Sequence, residues 1–361
     1  MASEKKLGEI RKRIDEIDKK LIRLISERAL LATEIAEIKN KGKGAVKYYR
    51  PEREAQILRR VIKVNPGPLS DNTIARLFRE LISACLALEK ELVIAYLGPE
   101  GTFTHAAAMK HFGQSIECIP LSSIDHVFQQ VQSGICDYGV VPVENSIEGV
   151  VNHTLDMLID SNLKISGEVE LRINQYLMSR TKVQKNITKI YSHQQSFAQC
   201  RKWLDANMPG IERIPVNSNA EAARLASKDN KSSAIAGKAN ANIYKLKILN
   251  RNIEDESDNQ TRFIIISTDD VAPSGDDKTS LLFSMPSKPG ALLKMLKCFS
   301  DNKVNMTRIE SRPSRKGLWE YIFLVDIEGH IQNLRVAKSV AQLKLEASMI
   351  KVLGSYPRAV L

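Results

Sequence analysis

The N-terminal part of the chain carries a long, unbroken pattern of apolar residues that constrains the fold more than any other feature. From Leu7 to Asn40 there is no proline, and the only glycine is Gly8. Apolar residues recur at alternating steps of three and four, the heptad pattern of a helix that packs against other helices. A helix of these ~32 residues is ~48 Å long at 1.5 Å per residue, longer than a small domain. We therefore expect it to bury its apolar stripe against other helices, including those of a partner subunit.

One position of this heptad seam is not apolar, and it holds Arg28. An arginine there can pair with an acid and fix the register of the helices, or it can face a buried anion. Arg11 is a second candidate for anion binding, but the helix separates it from Arg28 by ~25 Å and points the two to different faces. One small ligand can contact both only if one of them comes from an antiparallel partner chain. Lys39 lies nearly in phase with Arg28.

Two further helices are predicted after the glycines at 42 and 44. One starts near Pro51, with acidic residues in its first turn, and runs to about Val64. The other covers Thr73 to Leu92 and is capped by Ser70 or Asp71. Residues 1–92 are thus expected to form a small all-α domain.

These residues resemble the all-helical chorismate mutase family, an intertwined dimer in which each active site takes an arginine from the partner. The resemblance implies that the chorismate site contains Arg11, Arg28, Lys39, Arg53, Glu54, Cys85 and Glu89. Lys39 and Glu89 would be the catalytic residues beside the ether oxygen. The loop before Arg53 lacks the aspartate that some members have, and Glu89 could donate a proton only in its acid form. Chorismate rearrangement is unimolecular, so it needs no cofactor or metal and depends on positioning and charge stabilisation.

The middle of the chain repeats a strand, a polar turn and a helix. Leu92–Leu97 runs into a Gly-Pro-Glu-Gly-Thr turn, and Asp137–Val143 delivers Glu144, Asn145 and Ser146. The carboxyl ends of such strands are where α/β sheets keep their sites. Several units of this kind predict two α/β lobes with a ligand cleft between them.

Four motifs of this region, in order, resemble prephenate dehydratase across residues 93–270. They begin at Gly98, Val141, Ser192 and Asn259. The resemblance implies a fold like type 2 periplasmic binding proteins, with the second lobe inserted into the first. It also implies catalytic roles for Thr261, as the donor to the departing hydroxyl, and for Arg262. The prephenate-binding residues would be Thr102, Asn145, Ser146, Ser192 and Arg262. His193 could be a general acid, but we interpret it as shaping its turn.

The C-terminal part follows a short linker, residues 269–278. Residues 279–361 predict the element order β-α-β-β-α-β, which is ferredoxin-like. Two motifs resemble the phenylalanine-binding motifs of ACT domains of the dehydratase type. They imply an effector site formed by Gly290, Ala291, Leu292, Glu310, Ser311 and Arg312. The alternative is a module that only dimerises. Because the linker is short, ligand binding at Gly290 or Glu310 could move the strand that carries Thr261.

Composition limits the cellular setting. The chain has 361 residues, enough for two or three domains, with 43% hydrophobic and 26% charged residues. Its five cysteines are scattered, which indicates a reducing compartment without disulfides or a zinc site. No apolar run approaches the ~20 residues of a membrane span, and no secretory segment is visible. We expect a cytoplasmic protein without membrane or nucleic-acid partners. The net charge of +11 is consistent with the attraction of small anionic substrates, and polyanion binding is the alternative.

Together these resemblances imply a bifunctional enzyme of phenylalanine biosynthesis. It would rearrange chorismate to prephenate, convert prephenate to phenylpyruvate without cofactor or metal, and be inhibited by L-phenylalanine as a homodimer or higher homo-oligomer. A first alternative is an amino-acid-sensing binding protein on a decayed enzyme scaffold. A second keeps the chemistry but prefers arogenate as substrate.

Overall fold

The N-terminal domain is helical, as predicted. The computed structural model describes residues 2–41, 47–285, 288–313 and 321–361. Helix α1 spans Ala2–Lys41, α2 spans Pro51–Lys63 and α3 spans Asp71–Glu89. Of the two candidate caps of α3, Ser70 is the one used, because its hydroxyl accepts the backbone N–H of Thr73. Helices α1 and α2 both pack on α3.

The apolar stripe of α1 is uncovered within this chain. Its seam residues keep between 46% and 71% of their surface exposed, and they are Leu7, Ile10, Ile14, Ile17, Leu21, Leu24, Leu31, Ile35 and Ile38. Monomeric proteins rarely leave an apolar surface of this extent open to water. The stripe is therefore a surface that another chain can cover.

The first lobe of the central domain is built on a six-stranded sheet. Its elements in chain order are β1 (Val93–Leu97), α4 (Phe103–Phe112), β2 (Glu117–Leu121), α5 (Ile124–Gln132), β3 (Tyr138–Asn145), β4 (Gly149–Val150), α6 (Asn152–Asp160) and β5 (Lys164–Arg172). A further strand enters this sheet only after the second lobe is complete.

The second lobe is inserted between β5 and that returning strand. Its elements are β6 (Tyr176–Ser179), β7 (Lys189–His193), α7 (Gln194–Gln199), α8 (Arg201–Asn207), β8 (Glu212–Val216), α9 (Asn219–Ala226), β9 (Ser232–Ala236), α10 (Ala239–Ile243) and β10 (Lys247–Asn250). The sheet order is β10-β6-β9-β7-β8. The chain then returns as β11 (Gln260–Ser267), which lies between β3 and β5 in the first sheet. This insertion is the arrangement expected from the sequence.

The C-terminal domain has the predicted ferredoxin-like topology. It contains β12 (Asp277–Met285), α11 (Ala291–Asp301), β13 (Met306–Pro313), β14 (Tyr321–Glu328), α12 (Leu334–Glu346) and β15 (Met349–Pro357). The antiparallel sheet has the order β13-β14-β12-β15. One face of this sheet packs against α11 and α12, and the opposite face packs against the first lobe.

The C-terminal sheet and the first lobe share one hydrophobic core. Leu282, Leu324 and Tyr356 of the C-terminal sheet belong to the same buried cluster as Val141 and Ile264 of the first lobe. The backbones of β5 and β15 approach so closely at Gly354 that a Cβ there would lie 2.1 Å from the carbonyl oxygen of Ile165. The two domains are therefore packed together rather than merely linked.

Candidate active sites

The central cleft lies where the two lobes meet, and it encloses a cavity of about 390 Å³. Residues of both lobes line it, among them Thr102, Phe103, Asn145, Glu148, Gln175, His193, Gln195, Ser196, Gln199, Ser218, Asn219, Thr261 and Phe263. Among the residues that the structure describes, this lining includes no lysine and no arginine. The donors to an anionic ligand in this lining are amides, hydroxyls, backbone N–H groups and the His193 imidazole. Helices α4 and α9 both begin at the cleft and direct such N–H groups toward it.

Thr261 and Asn145 form a hydrogen-bonded pair in this cleft. They are register partners on β11 and β3, and the Asn145 amide nitrogen donates to Thr261 Oγ1 over 2.8 Å. The amide is held in this orientation because its oxygen accepts the backbone N–H groups of Ile147 and Glu148. Since Thr261 Oγ1 accepts this bond, its own proton remains available for a ligand in the cleft.

Thr102 caps α4, and Gly101 before it joins the two lobes. The Thr102 hydroxyl accepts the backbone N–H of His105 and donates to the carbonyl of Leu97. The Gly101 carbonyl accepts a 2.7 Å bond from Asn240 of the second lobe, and a Cβ at Gly101 would collide with the Asn240 side chain. Thr102 thus lines the cleft, but its hydroxyl already makes two hydrogen bonds within the protein.

Arg262 does not lie in the cleft, contrary to the sequence-based prediction. Side chains alternate across a strand, so the residue after Thr261 projects from the opposite face of the sheet. There its guanidinium is largely buried, with Nε 2.9 Å from Glu168 and Nη1 2.6 Å from Asp326 of the C-terminal domain. Its Nη2 donates to the hydroxyl of Tyr356. A guanidinium with these partners is not free to hold a substrate carboxylate.

Two predicted prephenate-binding serines also have structural roles. Ser192 is fully buried, and its hydroxyl is bonded to Asn219 and to the carbonyl of Ile235. Ser146 accepts the backbone N–H of Gln260 and so ties its turn to β11. Neither serine lines the cavity. Both support lining residues, because Ser192 holds Asn219 and Ser146 holds the strand entry before Thr261.

His193 lines the cleft and also caps α7. Its Nδ1 accepts the backbone N–H of Gln195, in agreement with our interpretation that it shapes the turn. The sequence reasoning missed a contact between the lobes, in which Gln199 Nε2 donates to Glu148 Oε1 over 3.2 Å. Glu148 follows Asn145 in the same turn and could have been found by that position. Gln199 lies in a short helix and gave no comparable signal.

The helical domain brings together part of the predicted chorismate site. Lys39 Nζ lies 2.8 Å from Glu89 Oε2 and also donates to the carbonyl of Tyr48. Arg28 Nη1 donates to the carbonyl of Leu81, two turns of α3 before Glu89. Cys85 lies between these two levels of α3 and is buried. A cavity of about 370 Å³ with Lys39 in its lining extends between this domain and the first lobe.

Other predicted chorismate contacts are not assembled within one chain. Glu54 is buried and paired with Arg79, at 2.9 Å, and it faces the first lobe instead of Lys39. Burial raises the pKa of the Glu54 carboxyl although Arg79 lowers it. Glu52, which was not predicted, lines the cavity with Lys39. Arg53 and Arg11 are exposed on their helices.

The predicted effector residues fall on two elements of the C-terminal domain. Gly290 has φ +79° and precedes α11, which starts with Ala291 and Leu292. Glu310, Ser311 and Arg312 lie on β13, an edge strand whose residues alternate between exposed and half-buried. Ser311 is on the exposed side. Glu310 and Arg312 are on the other side, where Arg312 is paired with Asp156 of α6.

A helical domain with a lysine–glutamate site, a two-lobed domain with a threonine in its cleft and a ferredoxin-like module define a multidomain enzyme with a regulatory domain. Sequence profiles agree with this division: chorismate mutase type II matches residues 10–90, prephenate dehydratase 94–271 and the ACT domain 279–344. The bifunctional chorismate mutase/prephenate dehydratase of Pseudomonas aeruginosa is 51% identical over 365 residues, covering 100% of both chains. The chain belongs to the family of bifunctional chorismate mutase/prephenate dehydratases.

Two solved structures each resemble about three quarters of the chain. A prephenate dehydratase from Arthrobacter aurescens in complex with L-Phe has 35% identity and a TM-score of 0.68, covering 74% of this chain and 90% of that one. GqqA, described as a quorum quenching acylase, has 28% identity and a TM-score of 0.67, covering 74% and 98%. The same architecture thus accompanies two described activities, so the functional assignment depends on the site and on the full-length relatives.

No helix in the described ranges is long and apolar enough to cross a membrane. Within the same ranges, no cluster of three or more histidine, cysteine, aspartate or glutamate side chains is arranged to hold a metal ion.

Proposed function

We propose that prephenate is converted to phenylpyruvate in the cleft between the lobes, with Thr261 as the proton donor to the departing hydroxyl. The observation that carries this proposal is the Asn145–Thr261 hydrogen bond. Because Asn145 donates to Thr261 Oγ1, the threonine proton has no competing acceptor from that side and can point to the substrate. Loss of CO2 and water makes an aromatic ring, so the enzyme needs orientation and hydrogen bonding more than a strong acid.

The substrate carboxylates would be bound without arginine. The starts of α4 and α9 and the amides of Gln195 and Asn219 supply donors to the cleft. Backbone N–H groups at helix starts and neutral amides hold anions through fixed dipoles. In this proposal Thr102 and Asn145 lie beside the ligand, whereas Ser146, Ser192 and Arg262 act from behind it.

We further propose that chorismate is rearranged beside Lys39 and Glu89 and that a second copy of the chain completes this site. Lys39 and Glu89 are paired within one chain and Arg28 lies two turns of α3 away, but Arg11 lies on the same helix ~25 Å from Arg28. The exposed stripe of α1 supports an antiparallel partner helix, which would bring its own Arg11 toward Arg28. Cys85 would line the chorismate site from α3. Arg53 lies on the exposed face of α2, so its side chain would have to extend from that face to contact chorismate.

L-phenylalanine is the effector in this proposal, bound by the C-terminal domain near Gly290 and Ser311. Support comes from the L-Phe complex of the Arthrobacter relative and from the exposed apolar residues of this domain. Leu292 and Leu293 of α11 and Ile309 of β13 are all exposed and fit an interface between two copies. In functional terms we divide the chain into residues 1–92, 93–270 and 279–361, in a homodimer or higher homo-oligomer.

One assay tests the assignment as a whole. The purified chain is incubated with chorismate, and phenylpyruvate is followed with and without L-phenylalanine. We expect phenylpyruvate to form and the effector to reduce its rate. Formation of prephenate without phenylpyruvate would contradict the role of the cleft. Conversion of added prephenate but not chorismate would contradict the role of Lys39 and Glu89.

A further inference from the structure

The Asn145–Thr261 pair has a charged counterpart on the other face of the same two strands. Glu144 and Arg262 are register partners on β3 and β11, directly next to Asn145 and Thr261. Since successive side chains point to opposite faces of a strand, the two pairs lie back to back. Any displacement of Glu144 or Arg262 is therefore transmitted through one peptide unit to the cleft.

The C-terminal domain supplies the opposite charges. Arg262 Nη1 lies 2.6 Å from Asp326 Oδ2, and Arg308 Nε lies 3.0 Å from Glu144 Oε2. Arg308 and Asp326 are themselves register partners on β13 and β14. Glu144 and Arg262 of the first-lobe sheet thus face Arg308 and Asp326 of the C-terminal sheet, and each acid lies opposite an arginine. We call Glu144, Arg262, Asp326 and Arg308 the charge square.

The two ion pairs of the charge square differ in how completely they are satisfied. Arg262 and Asp326 expose only 11% and 2% of their side chains, and each guanidinium nitrogen of Arg262 has a partner. Arg308 is equally buried, but its Nε is ion-paired with Glu144 without hydrogen-bond alignment, and its Nη2 has no hydrogen-bond partner among the described residues. The Arg262–Asp326 pair is therefore held in one position by its hydrogen bonds. The Arg308 guanidinium still has N–H groups that could bind other acceptors if the side chain moved.

Strand β13 connects the charge square to the predicted effector motif. Arg308, Glu310 and Arg312 alternate along β13 and lie on its half-buried side. Arg312 is paired with Asp156 of α6, so this side of β13 faces the first lobe. A shift of β13 would move Arg308 together with Glu310, and Arg308 contacts the residue next to Asn145.

We propose that the charge square positions the Asn145–Thr261 pair from behind, and that effector binding changes the dehydratase rate by rearranging it. This inference rests on the dehydratase and effector functions proposed above. Its four members are positioning residues, because none of them lines the cleft. The signal passes through side chains across the domain interface, in addition to the linker before β12.

The test uses full-length variants that remove one charge with little change in shape. Glu144→Gln and Asp326→Asn each break one side of the charge square. Lys351→Met is the matched control, since Lys351 crosses the same interface to the carbonyls of Leu158 and Ile159, which do not line the cleft. For each protein we would measure kcat and KM with prephenate, the L-phenylalanine concentration for half inhibition, and the chorismate mutase rate.

For both square variants we expect kcat for prephenate to fall at least about tenfold with KM little changed, since a small misplacement acts on the chemical step. Half inhibition should shift at least about fivefold, while the mutase rate and the Lys351→Met protein stay near wild type. The double variant Glu144→Gln, Arg308→Gln should lose no more than its worse single variant, because the two residues act as a pair.

Wild-type kcat and inhibition in Glu144→Gln would overturn the inference even if Asp326→Asn fails to fold, because the partly exposed Glu144 is replaced by an amide of the same shape that leaves a polar group beside Arg308. Equal effects in Lys351→Met would overturn it too, because they would show a general response of the interface. If the proposed function itself is wrong, the wild-type protein will form no phenylpyruvate or will not be inhibited by L-phenylalanine. This result is distinct from failure of the inference, in which only the variants behave unexpectedly.

Discussion

Thr261 and Arg262 are consecutive residues of one strand that serve two different domains. The Thr261 hydroxyl accepts a hydrogen bond from Asn145 in the cleft, and the Arg262 guanidinium is ion-paired with Asp326 of the C-terminal domain. The alternation of side chains along β11 places the proposed proton donor in the cleft and its neighbour in the interface with the C-terminal domain. The following predictions test what each part of this arrangement contributes.

The Thr261 hydroxyl should be required for dehydration but not for the fold. Thr261→Val keeps the shape and removes the donor, and we expect the dehydratase kcat to fall ~100-fold or more, the scale typical for one positioned proton donor. The mutase rate should not change. Thr261→Ser is the control, because it retains the hydroxyl and should keep most of the activity. A wild-type dehydratase rate in Thr261→Val, measured as phenylpyruvate formation from prephenate, would contradict the assignment.

Arg28 should be required for the mutase reaction alone. It lies half-buried beside α3, at the level of Leu81, where it can bind a substrate carboxylate. Arg28→Ala should reduce chorismate turnover ~1000-fold or more, because a bidentate charged contact to a dianion is lost. Prephenate turnover should be unchanged and serves as the internal control. Undiminished disappearance of chorismate in this variant would refute the role of Arg28.

Most of the fold could be predicted from the sequence, because it depends on local patterns. The heptad seam of α1, the cap at Ser70 and the strand before Asn145 all form where the pattern indicates them. The face to which a charged residue turns could not be predicted when both faces of a strand are covered. Arg262 looked like a ligand because it follows Thr261, and its partner Asp326 is 64 residues further along the chain. Glu54 lies on helix α2, and its position could not be predicted because its partner Arg79 and the first lobe that bury it are distant in the sequence.

The apolar stripe of α1 should hold two copies together. Leu24 is 62% exposed on the seam, and Leu24→Glu places a charge where the partner helix is expected. We expect a smaller or more open assembly by small-angle scattering, because contacts through the C-terminal domain remain, and a large loss of mutase activity, because the partner's arginine is withdrawn. Lys19→Glu introduces the same residue on the opposite face of α1 and should leave both properties unchanged. A Leu24→Glu protein with an intact mutase rate would show that the site is complete within one chain.

Deleting residues 279–361 should damage the dehydratase domain as well as its inhibition. An independent sensor domain could be removed without affecting catalysis. In the structure its sheet completes the core around Val141 and Ile264 and neutralises Arg262. Removing one partner of a buried ion pair alone costs about 3–5 kcal/mol. We expect an insoluble or inactive dehydratase with a folded helical domain, checked by prephenate turnover and circular dichroism. A soluble, active and phenylalanine-insensitive truncation would instead support the independent sensor.

Acid should loosen the contact between the helical domain and the first lobe through His111. This side chain is buried with Nε2 3.2 Å from the Tyr49 hydroxyl, and burial, with the nearby Arg79, lowers its pKa to about 3. An unfolded histidine has a pKa of about 6.5, so between these values the unfolded chain binds more protons than the folded one. The contribution of His111 to the free energy of unfolding therefore falls as the pH falls, by up to ~1.4 kcal/mol per pH unit.

The His111 effect can be isolated by comparison with His111→Gln, which keeps a polar contact to Tyr49 but cannot be protonated. Glu54, whose pKa is raised, acts in the opposite direction but is present in both proteins. Between pH 7 and pH 5 the melting temperature of the wild-type protein should fall by several degrees more than that of the variant, on the scale of about 1 kcal/mol. Parallel melting curves across this range would show that protonation of His111 does not govern the stability of the contact.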